Sequence, residues 1–158
     1  MKLLRCIRFD ESDTRVFPQA AMPGEWAVPG TFVFADADPE QLSRQERQAF
    51  ANGFLGLGSF GWSTLVTVAE IGTKEYEDAV AALTQHLIGS YGAPDARVAE
   101  AAAREEIDYA ISLCEHPINT LLSLSRFIEG EGIREQFRVV PAPGETLHTK
   151  IWEITPDG

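Results

Sequence analysis

The chain is poor in the residues that most often carry chemistry. It has two cysteines and three histidines in 158 residues. Cys6 and Cys114 lie far apart and form no Cys-x-x-Cys pair, which excludes a dithiol redox motif and a paired zinc-ligand set. His86, His116 and His148 fall in different segments, with neither His-x-His nor His-Glu-x-x-His spacing. No Gly-x-Ser-x-Gly elbow occurs. Gly58-Ser59-Phe60-Gly61 comes near it with the wrong spacing, and it precedes a strand where the elbow follows one. No stretch approaches the ~20 apolar residues of a membrane span. Charges interrupt the first apolar run, Met1 to Arg8, so no signal-peptide core is expected there. Two reduced thiols in the cytoplasm are expected, with no cofactor and no metal.

Positive charge is also scarce, with 13 basic against 24 acidic residues and a net charge of −11. The excess sits in the middle of the chain, where residues 36–131 hold sixteen acids and six bases. Such a surface repels a phosphate backbone and an anionic membrane, so neither nucleic acid nor membrane is an expected partner. A protein partner, or self-association as a homodimer, is compatible with it.

What is present reads as one globular domain over residues 1–158, with 44% hydrophobic residues. Leu3 to Phe9 reads as a strand. Asp10-Glu11-Ser12-Asp13 is a polar turn, and Thr14 to Phe17 is expected to return as the second strand of a hairpin. Pro18, Pro23-Gly24 and Pro29-Gly30 punctuate a loop that carries Trp26. Thr31 to Phe34 is a short expected strand. Asp38, Pro39 and Gln41 form a cap pattern that starts a helix running to Ala51, with Leu42, Ala49 and Phe50 inward and Asn52-Gly53 as the stop. A glycine-rich run follows over 53–61, then a strand from Trp62 to Ile71. Tyr76, Val80, Leu83 and Leu87 recur at helical spacing, ended by Gly89 and Gly92. Pro94 opens a further helix to Glu115, with a stripe of Val98, Ala102, Ala103, Ile107, Ala110, Ile111 and Cys114. The short connection makes the two helices antiparallel neighbours. Residues 118–128 are either strand or partly helical. Turns at 129–132 and 141–144 flank a strand at 135–140, and His148 to Ile154 forms a last strand. The resulting class is α+β, a mostly antiparallel sheet with about three helices packed on one face.

Each candidate site has a plainer alternative. The glycines at 53–61 follow a helix and precede a strand, the reverse of a phosphate loop, and lack the Gly-Lys-Ser/Thr ending. Their interleaved Phe54, Leu55, Leu57 and Phe60 either cover the core or form a contact surface. Trp26, Phe54, Leu57, Phe60 and Trp62 are the candidate contact residues, because exposed aromatics mark interfaces. Asp36 and Asp38 together fit a cation, although capping already explains Asp38. Cys114 near a helix C-terminus is disfavoured as a thiolate. The histidines are the candidate general bases of a small enzyme, with a site under the glycine-rich run, and are otherwise structural.

The opening Met1-Lys2-Leu3-Leu4-Arg5-Cys6-Ile7-Arg8-Phe9-Asp10-Glu11-Ser12-Asp13-Thr14-Arg15-Val16-Phe17, followed by Pro23-Gly24-Glu25-Trp26-Ala27-Val28-Pro29-Gly30, resembles the start of a small proteobacterial family classed only as a domain of unknown function. The resemblance extends over most of the chain. Members of that family tend to be encoded near maturation and accessory proteins for molybdenum enzymes and a biotin/lipoate-ligase-like protein. The resemblance implies a cytoplasmic accessory role. It carries over no catalytic residues.

Overall fold

The alternation in the first apolar segment folds as expected into a strand, β1, at Lys2–Ile7. In a computed structural model, which describes residues 1–141, β1 lies in the middle of a seven-stranded sheet. Its antiparallel neighbours are β2 (Trp26–Val28) and β5 (Leu65–Glu70). β3 (Phe54–Gly56) and β4 (Trp62–Ser63) extend the sheet on one side, and β6 (Leu121–Glu129) and β7 (Gly132–Val140) on the other. The last two form a hairpin whose reversal uses Gly130 at φ +63°. Residues 118–128, left open between strand and helix, are thereby mostly strand. The expected strand at His148–Ile154 and the turn at 142–144 lie outside the described residues.

The ladder is antiparallel throughout and the sheet is curled. Phe54 on β3 and Phe137 on β7 are five strand spacings apart, about 24 Å in a flat sheet, yet their ring centroids are 6.3 Å apart. Side chains alternate across the pleat, and at β1 both sides are sealed: Leu3 and Leu4 are each fully buried. Leu4, Cys6, Val66, Val68, Leu122 and Leu124 share one face in register, and Leu3, Val28 and Leu55 the other.

Helix α3 (Thr73–Tyr91) ends at Gly92 in the left-handed conformation, so Gly89 is helical and not a stop. α4 (Ala96–Ser112) is capped by Asp95, which accepts from the Val98 N–H at 2.8 Å. The two helices run antiparallel: Tyr76, early in α3, meets Asp108, late in α4, and Glu77 meets Arg104 at the middle of α4. The buried stripe of α4 is Ala99, Ala103, Ile107 and Ala110, shifted from the expected one at its first turn, where Val98 is exposed, and the helix stops at Ser112, short of the expected Glu115, so that the buried Cys114 lies just past its end. α4 crosses β1 and β2, and α2 (Arg44–Asn52) packs on β6.

Three local expectations fail for identifiable reasons. Thr14–Phe17 is not a hairpin strand but part of a one-turn helix, α1 (Ser12–Val16). Asp10 accepts the Ser12 N–H and starts the turn, and the buried Asp13 carboxylate ties it to Thr64 Oγ1 at 2.6 Å. Thr31–Phe34 is a 3-10 turn, not a strand, entered from Gly30 at φ +79°. It directs Phe34 between Phe50 and Trp62. Asp38 caps only the short turn Pro39–Gln41. The helix after it begins later, at a reciprocal capping box in which Ser43 Oγ accepts from Glu46 N–H and Glu46 Oε1 accepts from Ser43 N–H. Its stop at Asn52 is as expected.

Candidate functional site

Gly24, at φ +94°, turns the chain into β2 and presents Glu25 and Trp26 side by side. Glu25 is the organising residue. Its Oε1 accepts from the Gly58 and Ser59 N–H groups at 2.7 and 2.8 Å. Its Oε2 accepts from Ser59 Oγ and Met22 N–H, each at 2.6 Å. Burial pushes the carboxyl pKa up, but these hydrogen bonds outweigh it and hold the group below the usual carboxylate range. The turn between β3 and β4 is therefore folded around the carboxylate of the residue just before β2. This fit is why residue 56 is glycine: a Cβ there would stand 2.5 Å from Glu25 Oε1.

Helix α3 closes the other side. Glu75, Asp78, Ala79 and Ala82 lie on one helix face by their spacing. With Gly24, Glu25, Trp26, Leu57 and Gly58 they line a cleft of ≈ 280 Å³. The alanines and glycines leave it open. Trp26, Leu57, Ala79 and Ala82 make its walls apolar, and the exposed Glu75 and Asp78 make its rim acidic. Arg5 covers Trp26 with its guanidinium 4.3 Å from the ring centroid. Beside the cleft, Phe60 adopts φ +56° and stacks on His86 with ring centroids 3.8 Å apart.

Of the five expected contact residues, the fold brings Trp26 and Leu57 into this cleft. Phe54 is fully buried, and Leu57 and Trp62 are 5% and 7% exposed. Burial thus takes Phe54 and Trp62 out of any surface on this chain, because the segment 54–63 is a two-stranded edge whose apolar side chains enter the core. Trp26 and Phe60 remain half-buried. Neither described histidine lines the cleft. His86 is held in its ring stack, and burial lowers its pKa. At His116 the carbonyl accepts from Lys2 Nζ at 2.6 Å. His148 and Trp152 lie outside the described residues.

Asp38 Oδ1 accepts from the Glu40 N–H. Among the described residues no group of three metal-ligating side chains comes together.

Both thiols are buried. Burial, with Glu25 nearby, pushes Cys6 up to about 12, and burial pushes Cys114 up to about 11. Neither is a nucleophile in the fold. An alkylating reagent at neutral pH should leave both unmodified in the native protein and label both after unfolding in guanidinium chloride. Rapid native labelling of either would contradict this placement.

One polar cluster escaped the sequence reading. Arg126 on β6 is 3% exposed. Its Nε donates to Thr31 Oγ1, Nη1 to the Ala49 and Phe50 carbonyls, and Nη2 to the Pro29 and Gly53 carbonyls. Burial lowers its pKa to about 10, leaving it charged at neutral pH. Across the hairpin it faces Glu135, whose Oε2 is buried without a donor. Burial, Glu135 and Glu105 together raise the pKa of Glu106 on α4. The only advance signal was the inward phase of Leu122, Leu124 and Arg126.

Fold and cleft together define an α+β protein with a curled antiparallel sheet and a small, aromatic-walled cleft against a helix. The chain belongs to a family of unknown function, DUF6505, which it matches over residues 1–153. No curated protein and no solved structure matches it. Among the described residues no helix is long and apolar enough to cross a membrane.

Proposed function

We propose that this is a non-catalytic accessory or binding protein of the cytoplasm that docks a protein partner in the cleft between β2, the 57–60 turn and α3. The observation that carries this reading is the cleft itself. Its walls pair a half-buried tryptophan with small residues, and its shape is held from beneath by the four hydrogen bonds to Glu25. A preformed hollow of a few hundred Å³ suits one inserted side chain or a small ligand. The surrounding chemistry supports binding over turnover: the thiols are locked in the core, and His86 is committed to its stack with Phe60. The resemblance to a family encoded beside molybdenum-enzyme maturation proteins supports seeking the partner among metalloenzyme-maturation proteins. A second copy of the chain is the competing occupant.

The test is affinity capture from the native host with the full chain and two variants, Trp26→Ala and Ala82→Gln, alongside native mass spectrometry. Loss of a wall or filling of the hollow should reduce recovery of a specific partner about tenfold, the effect of removing an interface anchor. Far-UV circular dichroism should stay unchanged. Equal recovery with both variants overturns the site. A dimer that both variants dissociate identifies the second copy as the occupant.

A further inference from the structure

The cleft is lined unevenly, and the unevenness specifies an occupant. Its depth is apolar: Leu57 and Ala79 are buried, and Ala82 and Trp26 are half-buried. Its mouth on the α3 side carries Glu75 and Asp78, both exposed. Neither carboxylate is consumed. Glu75 uses Oε1 to accept the Gly72 N–H at the start of α3. Asp78 pairs through Oδ2 with Lys74, a residue one turn earlier and fully in water, a contact worth little. Glu25 behind them keeps its negative charge, because its hydrogen bonds stabilise the ionised form.

An apolar channel ending at two carboxylates matches a side chain with a hydrocarbon stem and a cationic head. Lysine and arginine have that form. The indole is suited to such a neighbour, since Arg5 already stacks on it. The wider field agrees: sixteen acids against six bases over residues 36–131 attract a basic partner and repel an acidic one. We propose that the cleft receives a lysine or arginine side chain from a basic segment of a protein partner, its stem along Trp26, Leu57, Ala79 and Ala82 and its head between Glu75 and Asp78. This rests on the cleft being a docking site.

The experiment is a ¹⁵N-correlation NMR titration of the full chain with three probes. They are Nα-acetyl-lysine methylamide, its neutral isostere Nα-acetyl-norleucine methylamide, and the free diamine cadaverine. The lysine probe should shift the Trp26 indole N–H and the amides of Gly58, Ala79 and Ala82, saturating at a concentration about fivefold below the norleucine probe, as two exposed charge contacts allow. The E75Q/D78N variant should abolish that difference and keep the norleucine response. Glutamine at 75 can still accept the Gly72 N–H, so α3 retains its cap. Equal binding of lysine and norleucine probes would overturn the cationic occupant and leave the docking reading standing. Shifts from cadaverine without shifts from the acetyl-lysine probe would overturn the protein source in favour of a small amine. No response to any probe would bring down both readings.

Discussion

Replacing Arg126 by methionine should lower stability by about 3–5 kcal/mol, the range for breaking a buried charged network by removing one partner. The melting temperature should fall by roughly 10 °C. Arg126 does what no backbone ladder among the described residues does: it fastens the curled sheet to itself. From β6 it reaches the end of β2 through the Pro29 carbonyl and the approach to β3 through the Gly53 carbonyl. It also takes the Ala49 and Phe50 carbonyls at the C-terminal end of α2, where the helix dipole favours a cation. Methionine would strand those carbonyls in the core and leave Glu135 and Glu106 without their neighbouring positive charge. Arg126→Lys should recover only part of the loss, because an ammonium has three donors and no fork. Urea denaturation followed by circular dichroism measures both. A loss below about 1 kcal/mol for the methionine variant, within the worth of one ordinary hydrogen bond, would mean that the carbonyls find water and that Arg126 is no clasp.

Glu25→Ala should cost roughly 2–4 kcal/mol, set by several donors left without their charged acceptor. The cost is limited because the residue is not fully buried and water can reach part of the site. Glu25→Gln should cost less, since an amide oxygen still accepts. The pH dependence has a definite sign. The folded pKa of Glu25 lies below its ordinary value. Its contribution is therefore fully present above the unfolded pKa, near 4.3, and is lost as pH falls through the folded pKa. The stability difference between wild type and Glu25→Gln should thus be largest at neutral pH and shrink on acidification. A difference that stays constant down to acid pH would show that the carboxylate's charge does not matter to the turn. The variant should also disorder the cleft, since Leu57 and Gly58 line it and Glu25 holds their turn.

The elements read correctly in advance are those whose local signals agree with one another. α3 combines regular apolar spacing with acidic residues at its start and a left-handed Gly92 at its end. α4 was legible from its alanine-rich stripe, with errors in phase at its first turn and in its end, which falls at Ser112 and not at Glu115. The misread elements are short. Four residues at 31–34 and four at 14–17 are apolar enough for a strand, but length and periodicity cannot separate strand from turn at that scale. The expected cap at Asp38 starts only the turn at Pro39–Gln41, and α2 begins after Ser43, whose reciprocal pair with Glu46 satisfies two backbone donors. β2 went unseen because three residues between Pro-Gly pairs carry no period.

Composition and local pattern by themselves determined the α+β class, the strand that follows the turn at 129–132, the paired helices and the acidic field of the middle of the chain. These follow from interactions a few residues long and from charge, which is additive. Only the tertiary structure decided that Phe54 and Trp62 are core, that Trp26 and Leu57 share a cleft with Glu75 and Asp78, and that Glu25 and Arg126 are the polar anchors. Those outcomes depend on contacts between segments remote in the sequence and, for Arg126, on the curl of the sheet. Curling joins residues as remote as Arg126 and Thr31, 95 positions apart, and such a contact leaves no mark on the sequence near either partner.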